Sequence, residues 1–249
     1  MGIEEKLAEI RSFCEAHADP ARVEKYSRYF VEGYDAFGLD QATQEAQRDV
    51  WLETWSQELG PEGFLELGDH LVATGTYEEG TFAIWFAEAQ AAHFGPATLE
   101  RVGRWLDEGL HNWAHVDTIS AQVIGPHLTR GAVALADLRP WRDAASRWKR
   151  RAVPVSLIRV LKAGGDENEL LSFVEPMLHD SEKVVHQGLG WFLREVWKKR
   201  PEPVEKLLLK VKDTCPRLIV QYATERMNAM EKERFRRSEK VPRPRRKKS

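Results

Sequence analysis

The chain is patterned for helices and almost nowhere for strands. In PATLERVGRWLDEGL, Leu99, Val102, Leu106 and Leu110 recur at i, i+3, i+7 and i+11, a spacing that lines up side chains on one helical face. In SEKVVHQGLGWFLREVWKK, Val185, Leu189, Phe192, Leu193 and Val196 form a second stripe. The strict apolar/polar alternation of a half-buried strand is nearly absent. Breakers fall between the periodic segments: Gly60-Pro61, Gly95-Pro96, Gly164-Gly165 and Pro201. Proline removes a helical hydrogen bond and glycine relaxes the backbone, so such pairs end or start helices. The expectation is an all-α fold of about a dozen helices, roughly 10–20 residues each, joined by short turns. Pro154 lies inside one periodic segment and is expected to kink or end that helix.

A faint internal repeat refines this reading. SRWKRRAVPVSL, from Ser146, and SEKVVHQGLGWF, from Ser181, occupy matching points of successive helix pairs, and NWAHVDTIS lies about one repeat upstream. A period near 35 residues suits HEAT-like helical pairs, which stack into a solenoid with a concave face. The expected architecture is therefore a HEAT-like helical-repeat solenoid, an α-α superhelix, over residues 1–235. Residues 236–249 hold the run KVPRPRRKKS, which has no apolar periodicity and reads as a basic, disordered tail. A solenoid with polar ends is expected to be monomeric.

Composition narrows the class. The chain has 249 residues, 31% of them charged and 42% hydrophobic, the balance of a globular protein with a sizeable core. No apolar run approaches the roughly 20 residues of a membrane span, and MGIEEKLAEIRSF lacks the apolar core of an export signal. Cys14 and Cys215 stand far apart with no CxxC and no Cys/His cluster. Two inert thiols in a reducing cytoplasm, no metal and no organic cofactor are the expectations. The net charge of −2 hides a split. Residues 1–125 hold 8 Lys+Arg against 23 Asp+Glu, net −15, and residues 126–249 hold 29 against 16, net +13. A basic half suits a polyanionic partner; two solvated faces that attract each other explain the split equally well.

Two tryptophans sit off their helices' apolar stripes. Trp191 falls on the polar side of its helix, with Gln187, Arg194 and Lys198. Trp113 shares a flank with Asp117 and Ser120, beside an apolar centre of Val116, Ile119 and Val123. Such a tryptophan either packs under a neighbouring helix, the commoner fate, or offers its π-face to a ligand or a cation. Asp117 alone reads as a surface carboxylate or a cap. Arg147, Lys149, Arg150 and Arg151 cluster one repeat later, where stacked repeats would bring an arginine level with Trp113 and Asp117.

Taken in order, these signposts resemble a family. The W-x-x-x-D of NWAHVD, the W-x-x-R-A of WKRRAV and the G-W-x-L-R-E of GLGWFLREVWKKRPEPV, with an earlier RYF…GL at Arg28, Tyr29, Phe30, Gly38 and Leu39, are similar to those of the AlkD-type bacterial DNA alkylation repair proteins. These are HEAT-like DNA glycosylases, and the resemblance covers about residues 5–230. It implies excision of cationic N3- or N7-alkylated purines from double-stranded DNA by a monofunctional enzyme of the cytoplasm, nucleoid-associated when on DNA. It implies Asp117 as the catalytic carboxylate, with Trp113 and Trp191 as aromatic walls. Tyr29, Arg150, Arg151, Gln187, Arg194 and Lys198 are the implied DNA-facing positions.

The chemistry fits those residue types. An alkylated purine carries a positive charge and leaves readily, so no strong general acid is needed. A fixed carboxylate would stabilise the oxocarbenium-like sugar, tryptophan faces attract a cationic base, and arginine forks hold phosphates. Three departures from the family pattern reduce the expected DNA contacts. Ala114 follows the motif tryptophan where the family usually has an acidic residue, Gln187 stands where a lysine is frequent, and GLDQATQEAQRD replaces G-x-x-T-P-x-x-R. His115 reads as a plain exposed histidine. Two rivals stand beside the enzyme: a non-catalytic HEAT-repeat protein gripping distorted or branched DNA, and a protein-interaction scaffold, the default use of a helical solenoid.

Overall fold

A computed structural model describes residues 2–238. Most of the basic tail, from 239 onward, lies outside the described residues. Among the described residues there are α-helices, short 3₁₀ and π turns and no strand. The chain divides between Gly165 and Asp166 into two compact units.

The first unit holds α1 (Ile3–Ala16), α2 (Pro20–Ser27), α3 (Gln41–Ala73), α4 (Tyr77–Ala89) and α5 (Pro96–Glu108). It continues with α6 (Trp113–Ile119), a π turn (Ser120–Ile124), α7 (Gly125–Thr129), a 3₁₀ segment (Leu135–Asp143) and α8 (Arg147–Lys162). The breakers act where the sequence places them. α3 is broken at Gly60, whose φ of 56° leaves the helical region just before Pro61. Gly95 precedes α5 and Pro96 occupies its first turn, where the missing N–H costs nothing. Pro154 does not act as a stop. It neither ends α8 nor shortens it, for the helix runs on to Lys162; Val153, Pro154, Val155 and Leu157 are all buried, and packing outweighs the lost backbone bond.

The repeat is regular where it can be measured along the chain. α4, α6 and α8 begin after cap positions Thr76, Asn112 and Ser146, 34 to 36 residues apart. α6 packs against both α4 and α8. Asn112 Oδ1 accepts from His115 N (2.9 Å) and Ser146 Oγ accepts from Lys149 N (3.3 Å), so two of the three starts carry side-chain caps. The expected stripe on α5 is buried in full: Leu99, Val102, Leu106 and, just beyond the helix, Leu110.

The second unit holds α9 (Glu167–Val174), a 3₁₀ turn (Glu175–His179), α10 (Lys183–Lys199), α11 (Pro201–Val211), α12 (Arg217–Ala223) and α13 (Ala229–Glu233). α10 follows its cap position Glu182, one more repeat length on, and buries Val185, Leu189, Phe192, Leu193 and Val196 completely. Several helices are shorter than expected: α6 and α12 have 7 residues, α7 and α13 only 5. Such lengths survive by tertiary packing, since isolated helices this short do not form. Residues 236–238, the first of the expected tail, are held in place. Arg237 donates to the Cys215 carbonyl (3.0 Å) and Ser238 N to Asp213 Oδ1 (2.6 Å). Both cysteines are free and buried, and burial pushes both thiols up from their ordinary values, which makes them poor nucleophiles.

Candidate functional site

The site begins with the start of α6. The Asn112 cap puts Trp113 at the first helical position and Asp117 one turn later on the same flank. Beyond them the helix widens into its π turn at Ser120–Ile124. Such turns are rare and recur at functional sites. At Gly125 the backbone lies so close to α8 that a Cβ would meet Arg159 Cβ at 2.6 Å and the Ser156 carbonyl at 3.0 Å. This near contact of the two helices lets residues one repeat apart touch.

Asp117 and Arg151 do so. Arg151 Nε donates to Oδ1 and Nη2 to Oδ2, both at 2.9 Å, a bidentate fork. The side chains are 18% and 7% exposed, so the pair is largely shielded from water. Burial pushes the Asp117 carboxyl above its ordinary value, and the bonds and charge of Arg151 pull the other way without cancelling it. Asp117 is thus a shielded carboxylate aimed at α8, and Arg151 is its clamp. Of the RWKRRAV cluster, Arg151 is the arginine that stacking of the repeats brings level with Asp117.

Trp113 is 41% exposed. Its indole N–H donates to the Tyr29 carbonyl (3.0 Å) and its ring stacks on Phe30 at 5.7 Å and 17°. The connection from α2 to α3, which carries Tyr29 and Phe30, is itself anchored. Glu78, a buried carboxylate on α4, accepts from the backbone N–H groups of Phe37 (2.9 Å), Gly38 (2.7 Å) and Leu39 (3.2 Å). The Tyr29 ring is 50% exposed, and its hydroxyl accepts from Arg28 (2.9 Å).

The other expected positions are engaged within their own units. Arg150 Nη1 donates to the carbonyls of Ala144 (2.7 Å) and Ala145 (3.0 Å). In the second unit, Trp191 is half-buried and off the buried stripe of α10. Gln187 Nε2 donates to the Tyr222 hydroxyl (3.0 Å), Arg194 pairs with Glu225 and with Glu195, and Lys198 pairs with Glu195 (2.6 Å). Among the described residues no group of three His, Cys, Asp or Glu side chains could hold a metal ion, and no helix is long and apolar enough to cross a membrane.

A model of the family described as "DNA alkylation repair enzyme" matches residues 10–227. The chain belongs to the DNA alkylation repair enzyme family. Family membership makes it an enzyme of alkylation damage repair with DNA as substrate or partner. A solved structure described as a predicted DNA alkylation repair enzyme from Enterococcus faecalis shares the fold. It aligns with a TM-score of 0.73 at 18% identity, over 86% of this chain and 98% of that one. No curated protein matches the chain.

Two features of this family member escape the sequence. His115 is not exposed. It is 4% exposed, with Asn112 Nδ2 2.8 Å from its Nδ1 and the Tyr77 carbonyl 2.8 Å from its Nε2. The amide donates to Nδ1, so the proton sits on Nε2 and the ring is neutral. Burial lowers its pKa to about 4, and the ring stacks on Tyr77 at 4.6 Å. No local pattern marks this, since the Asn112 cap binds the backbone N–H of His115 and does not set where its ring goes. The second feature is a cleft of about 810 Å³ whose walls include Trp113, Ala114 and Thr118 of α6, Trp85 and Glu88 of α4, and Tyr29. Its parts come from segments too far apart along the chain for any local pattern to reveal.

Proposed function

We propose that this chain is a monofunctional DNA glycosylase that hydrolyses the N-glycosidic bond of cationic N3- or N7-alkylated purines in duplex DNA. The observation that carries this reading is the clamped, shielded carboxylate of Asp117 one helical turn from the exposed face of Trp113. In the reaction the bond from C1′ to the purine nitrogen breaks and its electron pair neutralises the departing base. Positive charge grows on the sugar. A carboxylate in shielded surroundings stabilises that charge more strongly than water would. Water then adds to C1′ and loses a proton, leaving an abasic sugar and the free base. Arg151 fixes the carboxylate's orientation, and its charge and bonds oppose the rise that burial imposes on the Asp117 carboxyl. The Trp113 face attracts the cationic nucleotide. Trp191, Tyr29, Arg150, Gln187, Arg194 and Lys198 extend the DNA-contacting set in this proposal.

One observation favours a second reading, a DNA-binding member of the family that does not cut. Both oxygens of Asp117 already accept from Arg151, which satisfies the carboxylate structurally. Release of 7-methylguanine and 3-methyladenine from methylated duplex, compared between wild type and Asp117→Asn, decides between them. The glycosylase reading expects base release by wild type and a fall of at least about a hundredfold in the variant, the scale of losing one electrostatic stabiliser. Salt-sensitive DNA binding with no base release by wild type establishes the second reading instead.

A further inference from the structure

His115 takes no part in the proposed chemistry, yet it sits between the two residues that carry it. Trp113 precedes it by two positions and Asp117 follows it by two. At 3.6 residues per turn, two positions are a rotation of about 200°, so the His115 ring points to the side of α6 opposite Trp113 and Asp117. That side faces α4, whereas Asp117 faces α8, and α6 packs against both helices. A helix of 7 residues has little stability of its own, and what holds it decides where its flank points.

The Asn112 side chain is engaged at both ends by His115: its Oδ1 accepts from His115 N (2.9 Å) and its Nδ2 donates to His115 Nδ1 (2.8 Å). On the far side of the ring, Nε2 donates to the Tyr77 carbonyl (2.8 Å) and lies 3.2 Å from Thr81 Oγ. The ring thus ties the cap of α6 to the first turn of α4. An apolar side chain would fill the same space, but only a ring with an acceptor at one nitrogen and a donor at the other makes both connections. His115 also closes a circuit of rings. It stacks on Tyr77 at 4.6 Å, Tyr77 meets Tyr34 edge-on at 5.1 Å, Tyr34 stacks on Phe30 at 4.4 Å, and Phe30 stacks on Trp113 at 5.7 Å. Trp113 is therefore supported from His115 twice, through the α6 backbone and through the rings of Tyr77, Tyr34 and Phe30.

We propose that His115 is a positioning residue: through the Tyr77 carbonyl it sets the angle at which α6 presents Trp113 and Asp117. The proposal rests on the glycosylase reading for the reaction it serves. His115 touches neither base nor sugar. It fixes α6 from α4, while Arg151 fixes it from α8. The carboxylate and the indole face are then in place before DNA arrives, and displacing a reacting group by about 1 Å costs up to roughly a hundredfold in rate.

Two variants separate the bonds from the space the ring fills. His115→Leu fills the space and makes neither side-chain bond. It should still fold, since the Tyr77 carbonyl keeps its bond from Thr81 Oγ (2.9 Å). His115→Gln places an amide N–H where Nε2 stands and restores the bond to Tyr77. Base release from methylated duplex is measured on the full chain, at a temperature where both variants are folded. In His115→Leu, kcat is expected to fall at least about tenfold. KM should not change, because the ring is buried. His115→Gln should recover most of the loss. Titration of the Asp117 carboxyl, followed by NMR, is a second readout that needs no turnover. In His115→Leu the fork to Arg151 is loosened, so the carboxyl titrates at higher pH than in wild type; in His115→Gln it titrates as in wild type. Equal losses in the two variants, or an Asp117 titration unmoved in His115→Leu, would each overturn the proposal. Base release by wild type with both readouts unmoved in His115→Leu removes the positioning role and leaves the glycosylase standing. No base release by wild type removes the glycosylase, and the titration alone then decides whether His115 positions Asp117.

Discussion

Asp117 on α6 and Arg151 on α8 meet through two parallel bonds of 2.9 Å although 34 residues separate them. One repeat length carries one to the other. Removing either partner leaves a shielded charge without its counter-ion, the costly way to break such a pair. Arg151→Met is expected to cost about 3 kcal/mol of stability, and Asp117→Leu a comparable amount. The double variant should cost clearly less than the two together. Urea unfolding of the four proteins measures the coupling; additive losses would show that the fork contributes nothing.

The same pair shapes the pH dependence of catalysis. Burial holds the Asp117 carboxyl above its ordinary 3.8. If the ionised form is the active one, base release is lost as pH falls through the raised value. The acid limb of the pH–rate profile should therefore lie above 3.8, after subtraction of spontaneous depurination. In Arg151→Gln the counter-charge is gone, and the limb should move to still higher pH. A limb that moves down in that variant contradicts the role given to Arg151.

His115 makes stability sensitive to acid. Its folded pKa is about 4 against an ordinary 6.5, so the unfolded chain takes up the proton first as pH falls. Its share of stability is complete above 6.5 and declines towards about 4, by about 3 kcal/mol for a shift of this size. Asp117, raised rather than lowered, contributes with the opposite sign, so the comparison must be with His115→Gln, whose stability should fall less over the same window. An NMR titration of the His115 ring reads the pKa directly; a value near 6.5 would dismiss this account.

Gly80 on α4 faces the same ring. A Cβ there would lie 2.7 Å from His115 Cε1, and the ring cannot retreat because both nitrogens are bonded. Gly80→Ala is expected to destabilise by about 1–3 kcal/mol, as overpacking does, despite alanine's better helix propensity. A thermal midpoint at or above wild type would show that the ring has room to move.

Glu78 acts on the site from a distance. Its carboxylate gathers three backbone N–H groups at Phe37, Gly38 and Leu39, and the connection it anchors presents the carbonyl that receives the Trp113 indole N–H. The three N–H groups are shared between both carboxylate oxygens, so Glu78→Gln sets an amide NH2 against at least one of them and should cost about 2 kcal/mol. Limited proteolysis should then cut faster between residues 28 and 39.

Much of the fold is readable from local pattern. The stripes Leu99–Leu110 and Val185–Val196 are the buried faces, because helical periodicity is a property of neighbouring residues. The breakers at Gly60-Pro61 and Gly95-Pro96 act for the same reason. The place of Trp113 off the stripe leaves burial and exposure both open, and the packing around α6 keeps it 41% exposed. The state of His115 is not local either: it lies next but one to Trp113 in sequence, yet its burial depends on Tyr77 and Thr81, one repeat earlier. Pro154 does not end α8, because the packing of that helix outweighs the lost backbone bond.

By itself, the order of residues determined that this chain makes helices in a repeat near 35 residues long, and which face of each helix is apolar. The tertiary structure alone decided that Arg151 clamps Asp117, that His115 is sealed and neutral, and that Tyr26, Tyr29 and Trp113 open onto one cleft. Periodicity is set by bond geometry within a few residues. Burial, ion pairing and pKa depend on what the next repeat brings within about 3 Å, and only the folded chain brings it there.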